Sequence, residues 1–266
     1  MKHLILAAAV LASSLCGAAQ ADDALKAAIA SPARTPANAT RDSARHPYET
    51  LTFFGIKPTM TVVELAPGGG WYTEILAPYL RDHGKLIAAG NSPTSADEGA
   101  RRAAANFQKK LAANPALFGK VQAGVFEPPA SVDYAAPNSV DMVLTFRNLH
   151  NWTEDGDDKL KATLAKVYTT LKPGGVLGVV DHRLPAAKPV GATAGYLHEA
   201  YVIKLIESAG FKLAAKSEVN ANPKDTADHA KGVWALPPVL ANKEVDKAKY
   251  LAIGESDRMT LKFVKP

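Results

Sequence analysis

The chain alternates between short apolar runs and longer segments in which apolar residues recur with helical spacing. Short continuous apolar runs are typical of strands buried in a parallel sheet, and they lie at residues 61–65, 85–89, 120–126, 139–146 and 176–180. Helical spacing predicts helices at residues 42–54, 71–80, 101–111, 158–171 and 196–209. Because strands that alternate with helices build βαβ units, the pattern predicts an α/β fold. We expect a doubly wound, Rossmann-like, mostly parallel sheet with helices on both faces.

Further segments set the limits of the domain. Residues 211–217 predict another strand, and the alternation of residues 259–264 predicts a final strand at a sheet edge or in a hairpin. Residues 22–40 are rich in Ala, Pro and Ser and have little periodicity, which predicts a flexible, loosely held lead-in. No internal repeat or Ser/Gly linker divides the remainder, so residues 41–266 are predicted to form a single domain.

The first 21 residues have the pattern of an export signal. A polar start precedes an apolar run over residues 4–15, and Ala19-Gln20-Ala21 provides a small-x-small cleavage site. The run is too short to span a bilayer, and the residues before Cys16 do not fit a lipoprotein signal. The sequence predicts a cleaved signal peptide, no stable membrane insertion afterwards, and a protein exported to the periplasm or secreted.

Composition and charge narrow the classes of function. The formal net charge of +5 is modest and the basic residues are scattered without aromatic interleaving, so no nucleic-acid partner is predicted. Cys16 is the only cysteine and lies in the signal, so the mature chain has no disulfide, thiolate nucleophile or cysteine metal site. A hydrophobic content of 47% over this length is enough to build a core.

The first predicted strand ends in a carboxylate and a glycine-rich turn. Glu64 and Leu65 are followed by Ala66, Pro67 and glycines at positions 68–70. Such a turn lets backbone amides approach a ligand closely before the next helix begins. The spacing lacks the last small residue of a dinucleotide fingerprint and the Lys-Ser/Thr of a P-loop, so NAD and polyphosphates are disfavoured. A tight turn that binds no ligand is the alternative.

From this turn onward, four sequence blocks follow in a fixed order. They are Glu64-Leu65-Ala66-Pro67-Gly68-Gly69-Gly70, Asp141-Met142-Val143-Leu144, Asn148-Leu149-His150-Asn151-Trp152 and Leu171-Lys172-Pro173-Gly174-Gly175-Val176-Leu177. In this order the blocks resemble class I S-adenosylmethionine-dependent methyltransferases, and the resemblance covers about residues 41–266. It is closest to a group of exported bacterial proteins known as predicted methyltransferases, which share Gly70-Trp71-Tyr72 and the C-terminal pattern at residues 257–266.

The resemblance implies an activity and a cofactor site. The implied activity is methyl transfer from S-adenosylmethionine to an O, N or S nucleophile of an unidentified small-molecule substrate. The implied cofactor cradle, at the carboxyl edge of the sheet, consists of Glu64, Ala66, Gly68, Gly69, Gly70 and Trp71. The family's fold also implies one antiparallel strand near the C-terminus.

The chain departs from the family pattern after the second strand. The acid that would hold the ribose hydroxyls falls at Gly90, so Asn91 is the predicted contact there. After the third strand, Phe126 and Glu127 are the predicted neighbours of the adenine. These assignments come from the resemblance and not from spacing alone.

Three residues are candidates for proton transfer. Methyl transfer to a hydroxyl or amine requires a base near the methyl group. His150 follows the fourth predicted strand on the crevice side, and a purely structural histidine is the alternative. Asp181 and His182, after the fifth strand, form a second candidate pair with helix capping as its alternative.

Metal and hydrolase chemistry find no support in the sequence. Residues 151–158 superficially resemble a calcium loop, but Ala162 stands where a bidentate Glu is required. The histidines lack zinc spacing, and no Ser lies in a Gly-x-Ser-x-Gly turn. No metal is therefore predicted.

Two other hypotheses stay open beside methyl transfer. S-adenosylmethionine is not expected to be supplied outside the cytoplasm, and Gly90 removes the usual ribose acid. The chain is then a catalytically inactive or repurposed exported binding protein, or a structural partner in the cell envelope. Cofactor binding separates methyl transfer from both.

Overall fold

The computed structural model describes residues 23–266, and the expected signal peptide at residues 1–21 lies outside them. The strands are β1 (Thr61–Leu65), β2 (Lys85–Gly90), β3 (Gln122–Glu127), β4 (Ser131–Asp133), β5 (Val140–Phe146), β6 (Leu171–Leu184), β7 (Leu197–His198), β8 (Lys212–Ser217) and β9 (Arg258–Val264). In the described part they form a sheet in the order β4-β3-β2-β1-β5-β6-β9-β8, and β7 pairs with the end of β6. The central strands β3, β2, β1, β5 and β6 are parallel, whereas β4 and β9 are antiparallel to their neighbours.

Helices connect the strands and cover both faces of the sheet. They are α1 (23–29), α2 (Pro36–Ala39), α3 (Asp42–Arg45), α4 (Pro47–Phe54), α5 (Thr73–Leu80), α6 (Glu98–Ala113), α7 (Pro115–Phe118), α8 (Leu149–Trp152), α9 (Asp157–Thr170), α10 (Glu199–Ser208) and α11 (Lys247–Ile253). The predicted helix at residues 42–54 is divided into α3 and α4, because His46 takes a left-handed conformation with φ 43° before Pro47.

The apolar runs are continuous because both faces of the central strands are buried. Val62 and Met142 belong to one core cluster, which also contains buried residues of α1, α4 and α5. Val63 and Val143 belong to a second cluster with buried residues of α9 and α10. Successive residues of a strand face opposite sides, so each strand supplies both clusters. The predicted doubly wound, mostly parallel fold is confirmed.

The last strand corrects one prediction. β9 lies between β6 and β8 and is antiparallel to both, so it is neither an edge strand nor part of a tight hairpin. The polar residues of β9 are covered by other elements: Thr260 Oγ1 accepts from Asn220 Nδ2 at 3.0 Å, and Lys262 Nζ donates to Phe53 O at 3.4 Å. The antiparallel strand implied by the family resemblance is present.

Residues 23–40 differ from the expected loose lead-in. Leu25 of α1 is 3% exposed and packs in the core cluster under α4 and α5. Thr35 donates from its N–H and its hydroxyl to the buried carboxylate of Glu74, at 3.1 and 2.6 Å. The indole N–H of Trp71 donates to Asn38 O at 2.9 Å. Partners that lie far along the chain hold this segment, so its composition alone did not reveal them.

A long connection between β8 and β9 covers one end of the sheet. It contains the 3-10 turn Gly232–Ala235, a cis peptide at Pro237–Pro238 and α11. Buried Asp225 anchors it, accepting from the Tyr196 hydroxyl at 3.0 Å and facing His229 Nε2 at 2.8 Å. Arg183 at the end of β6 also pairs with Asp257 at 2.9 Å. Sequence patterning predicted no element in this segment.

Among residues 23–266, no helix has the length and apolar character needed to cross a membrane.

Removing residues 22–40 should destabilise the protein, because Leu25 loses its burial and Glu74 and Trp71 lose their partners. The combined loss is at least about 3 kcal/mol, which corresponds to a fall in Tm of roughly 6–12 °C for a domain of this size. Thr35→Val should account for about 1–2 kcal/mol of it, whereas Thr40→Val, at an exposed position, should change little. Thermal unfolding of the chains that start at residues 22 and 41 is the measurement. Equal midpoints would mean that the segment is loosely held after all.

Candidate functional site

The glycine-rich turn between β1 and α5 forms the floor of a crevice at the carboxyl edge of the sheet. The backbone is left-handed at Ala66 (φ 47°), Gly68 (φ 56°) and Gly70 (φ 75°). A Cβ added at Gly68 or Gly69 would meet no atom within 4 Å, so both residues present bare backbone to open space. At Gly70, in contrast, a Cβ would lie 3.0 Å from Lys110 Cε of α6. The turn offers the open backbone that a ligand cradle requires.

Three cavities adjoin along this edge. The first, of about 430 Å³, lies among the turn, the ends of β2 and β3, and α6. The second, of about 200 Å³, is lined by the turn and by α3, and the third, of about 160 Å³, is bordered by residues of segment 233–239. Gly68 and Asn148 line the first and second cavities, and Arg147 lines the second and third. The crevice therefore lies beside β1 and β5, where the strand order reverses and open α/β sheets bind ligands.

The first cavity contains only part of the predicted adenosine contacts. Gly90 and Asn91 line it, as expected. Phe126 does not line it, because Val125 faces the cavity and the next residue of a strand points to the opposite face. The Phe126 ring is 2% exposed and packs 4.9 Å from the ring of Trp152 in the core.

Glu127 also has a different role from the predicted one. Its carboxylate accepts from Ser92 N at 2.9 Å and from the Ser95 hydroxyl. These bonds hold the loop that follows β2, so Glu127 shapes the border of the first cavity without lining it.

Most of the lining of the first cavity was not predicted, including its aromatic and most of its polar side chains. Phe107 and Gln108 come from α6, and Asp133 comes from β4. In the sheet, Gly90 of β2 lies beside Val125 of β3, and Val125 lies beside Asp133 of β4. The exposed carboxylate of Asp133 is therefore two strands away from Gly90, the position where the acid is missing. The sequence signal for β4 is too short to detect, and helical spacing alone does not say which face of α6 borders the sheet edge.

Glu64 and Trp71 line the second cavity, as the resemblance implied. The Glu64 side chain is 2% exposed and accepts from the Thr73 hydroxyl at 2.6 Å. Burial raises the pKa of Glu64 to about 8, although the Thr73 hydrogen bond and the charge of Lys110 oppose the shift. The guanidinium groups of Arg34 and Arg45 both lie over the Trp71 ring, at 5.1 and 4.7 Å from its centroid. Trp71 therefore joins the N-terminal segment to the cradle.

His150 and Asp181 form a buried pair at the border of the third cavity. His150 Nδ1 lies 2.8 Å from Asp181 Oδ1. The Asp181 carboxylate also accepts the backbone N–H groups of Leu149, at 2.7 Å, and of His182, at 2.7 Å. A carboxylate that accepts several N–H groups acts as an acceptor toward His150 too, so Nδ1 carries the proton and Nε2 has the free lone pair. This arrangement makes His150 a proton acceptor.

His182 is the third member of this cluster. Its ring is 5.0 Å from the ring of His150, and its Nδ1 lies 2.5 Å from Ser256 Oγ. Burial, with the nearby His150 and Arg147, keeps the pKa of His182 well below its ordinary value, so the ring is neutral. One ligand atom from each of His150, Asp181 and His182 lies within 4.8 Å of the others. Protein groups already bond to Asp181 and to both Nδ1 atoms, so the Nε2 atom of each ring is the nitrogen left for a ligand or a proton.

A cluster of arginines surrounds the second and third cavities. Glu255 accepts from Arg41 Nε at 2.6 Å, Arg45 Nε at 3.4 Å and an Arg258 amino group at 3.2 Å. Burial alone would raise the pKa of Glu255, but the Arg41 hydrogen bond and the charges of Arg258 and Arg45 hold it below its usual value. Burial and the neighbouring Arg147 lower the pKa of Arg45 to about 9. Cations are thus crowded here, with Glu255 shared among three of them.

None of these arginines was predicted as a site residue. Arg41 and Arg45 lie in α3 and its approach, Arg258 begins β9, and Glu255 lies in the connection before it. Only Arg147 carried a local signal, because it directly follows the buried run of β5 at the carboxyl edge of the sheet. The others come together only in the tertiary structure.

Glu64→Gln should raise the stability of the ligand-free protein more at pH 9 than at pH 5. The folded pKa of about 8 exceeds the ordinary 4.5, so the carboxyl's contribution to stability is lost as pH rises toward 8. Gln avoids ionising a buried group, and the difference between the two pH values should be on the order of 4 kcal/mol. Thermal unfolding measures it, with exposed Glu98→Gln as the control. If the stability gained by Glu64→Gln becomes smaller as the pH rises, Glu64 is ionised and paired in the folded protein.

No model of a known protein family matches the chain, and no curated protein matches it in sequence. Solved structures do match its fold. One is a SAM-dependent methyltransferase from Aquifex aeolicus, with 18% identity and a TM-score of 0.56, over 85% of this chain and 93% of that one. Another, from Galdieria sulphuraria, is provisionally named a sarcosine dimethylglycine methyltransferase, with 13% identity and a TM-score of 0.56, over 85% of each chain.

A third similar structure is the cyclase SpnF, with 15% identity and a TM-score of 0.57, over 84% of this chain and 80% of that one. Because one of these structures is named for a different reaction, likeness of fold alone does not decide the chemistry. What the comparisons show is the architecture: this chain has the Rossmann-like α/β fold of class I methyltransferase structures.

Proposed function

We propose that the chain transfers a methyl group from S-adenosylmethionine to an O, N or S nucleophile of a small molecule. The observation that carries the proposal is the continuity of the crevice. It leads from the open backbone of Gly68 and Gly69 to the free nitrogen of the His150–Asp181 pair. The cavity that holds the cradle and the cavity that holds the proton acceptor are neighbours with Arg147 in common, which suits group transfer between them.

The residues present fit this cofactor. Gly68 and Gly69 offer backbone with open space where a Cβ would intrude on a ligand. In the second cavity, Arg41 and Arg45 each have a buried Nη2 with no hydrogen-bond partner among the described residues, which suits a carboxylate. Asn91 and Asp133 bring polar groups to the first cavity, where a ribose would be bound. When bound, S-adenosylmethionine supplies a sulfonium methyl group whose carbon–sulfur bond breaks with its electron pair left on sulfur.

The chain's own residues provide orientation and proton transfer. His150 Nε2 accepts the proton that the acceptor's hydroxyl, amine or thiol loses as its lone pair bonds to the methyl carbon. Asp181 keeps the imidazole oriented by accepting from Nδ1. Trp234 also lines the third cavity, with its ring 6.2 Å from the ring of His150, and offers an aromatic surface to a bound acceptor. His182, neutral and bonded to Ser256, completes the wall.

A binding protein without methyl transfer is the second candidate function. Gly90 favours it, because the end of β2 lacks the acid that normally holds the ribose in class I methyltransferases.

We also propose that the chain belongs to the exported group and loses residues 1–21. The N-terminal residue of the protein recovered from the producing cells tests that proposal, and retention of residue 1 would oppose it.

Gly69→Val should weaken the binding of S-adenosylhomocysteine at least tenfold, because its side chain would enter the second cavity. Gly69 does not have positive φ and a Cβ there meets no neighbour, so the fold should be unaffected. Calorimetric titration measures the affinity, and thermal unfolding verifies the fold. Ala112→Val, on the exposed side of α6, should bind as the parent protein does.

The parent protein decides between the two candidate functions in the same experiment. Micromolar or tighter binding of S-adenosylhomocysteine supports methyl transfer. A folded parent protein that does not bind it would favour the second candidate. Unchanged affinity in Gly69→Val would remove the turn from the site.

His150→Gln should lower kcat about 10²–10³-fold, because the acceptor's proton then has no base. An acceptor found by screening with methyl-labelled cofactor provides the assay. The affinity for S-adenosylhomocysteine should stay within twofold, since His150 borders the third cavity and not the first or second. Asp181→Asn should act in the same direction through the imidazole's orientation, while exposed His83→Gln should be neutral. Normal turnover in His150→Gln would leave His150 a structural residue.

A further inference from the structure

Arg147 has an unusual position for a charged residue. Its backbone is left-handed, with φ 62°, and its N–H donates to Val180 O at 2.7 Å. Non-glycine residues pay a steric cost in this conformation, and such strain is often retained at functional sites. The conformation directs the chain out of β5 so that Arg147 lines both the second and the third cavity.

The guanidinium of Arg147 lacks a partner. Among residues 23–266 no carboxylate or carbonyl lies within hydrogen-bond or ion-pair distance of it, whereas Arg41, Arg45 and Arg258 share Glu255. Burial, then the charge of Arg258, lowers the pKa of Arg147 to about 10. The charges of Glu255 and Asp181 oppose this shift only in part, and neither carboxylate contacts Arg147 directly. A half-buried guanidinium without a directly bonded carboxylate, beside other cations, is a site that an anion would stabilise.

One wall of the third cavity is apolar and is formed by the segment that contains Val233, Trp234, Leu236 and Val239. The rest of the lining is polar and includes Asn151, His182, Ser256 and Glu255, whose carboxylate is already shared by three arginines. The cavity's volume of about 160 Å³ is close to that of cavities that bind one benzene ring, about 150 Å³. Arg147 stands at one border of this space and His150 at another. A ligand that fits both would carry an anionic group on an apolar ring.

We propose that the methyl acceptor is a small organic anion, an apolar ring with a carboxylate or phosphate group, and that Arg147 binds this group. The inference rests on the proposed methyl transfer and specifies its substrate class. Arg41 and Arg45 have unpartnered donors of their own in the second cavity, so a cofactor carboxylate does not require Arg147. Anchoring the ring through Arg147 leaves its nucleophile to face His150.

Titration of the protein saturated with S-adenosylhomocysteine tests the proposal with three probes: benzoate, phenyl phosphate and neutral benzamide. At least one anion should bind tenfold or more tightly than benzamide, which has the shape of benzoate without its charge. Arg147→Gln should cut the affinity for that anion at least tenfold and leave the affinities for benzamide and S-adenosylhomocysteine within twofold. Arg102→Gln, which removes the same charge from an exposed position on α6, should change none of them.

A second variant protects the test against a folding defect. Arg147→Asn removes the charge with a residue that tolerates positive φ, so it should fold and give the same loss of anion binding. Equal binding of all three probes, no binding of either anion, or anion binding that survives in both variants would overturn the proposal. A tenfold loss of S-adenosylhomocysteine affinity with unchanged anion binding would also overturn it, because Arg147 would then hold the cofactor.

The same titration without S-adenosylhomocysteine separates the two proposals. If the protein selects anions through Arg147 but does not bind S-adenosylhomocysteine, the anion site is supported and the methyl-transfer proposal is overturned. If the protein binds S-adenosylhomocysteine but does not select anions, the methyl-transfer proposal is supported and the proposal of an anionic acceptor is overturned.

Discussion

The buried carboxylate of Asp181 holds together the part of the molecule on which the crevice depends. It lies near the end of β6, is 0% exposed, and accepts N–H groups of Leu149 and His150 at the start of α8. The first N–H groups of a helix have no partners within the helix, so this acceptor fixes where α8 begins relative to the sheet. The turn that carries Arg147 between β5 and α8 is fixed with it. One buried acid thus positions both the candidate base and the candidate anion-binding residue.

Charge and apolar surface are separated along the crevice in a way that suits a defined kind of ligand. The first cavity is lined mostly by small and apolar residues, and the second is bordered by guanidinium groups. The third has an apolar wall with Trp234 and two prolines on one side and polar residues, among them His150 and Arg147, in the rest of its lining. Arginines without enough acidic partners are costly in a partly buried place, and they persist where a ligand supplies the missing charge. The anion proposed above would supply this missing charge at the place where the cations are crowded.

Two segments outside the parallel sheet complete the site, and both were hard to foresee. Residues 23–40 are poor in periodic apolar positions, yet Arg34, Thr35 and Asn38 are held by Trp71, Glu74 and Asp42. The connection between β8 and β9 has little regular structure, but Asp225 and Arg183 anchor it over His182. Local patterning detects elements whose stability comes from one repeating face. It does not detect segments that are held by single hydrogen bonds to residues far along the chain.

From the sequence alone follow the βαβ order, the glycine-rich turn and the position of His150 at the carboxyl edge, because apolar periodicity and turn chemistry are local properties. Register and strand order, which the pattern of a single sequence does not specify, decided three other features. They are the interior place of β9, the burial of Phe126 away from the crevice and the use of Glu127 to anchor a loop. His150 pairs with Asp181, which lies 31 residues further along the chain on the neighbouring strand. Arg41 and Arg45 meet Glu255 and Arg258 from the opposite end of the described chain, with Arg147 beside them. Only the packing of the tertiary structure brings such residues within the few ångströms at which charges and hydrogen bonds act.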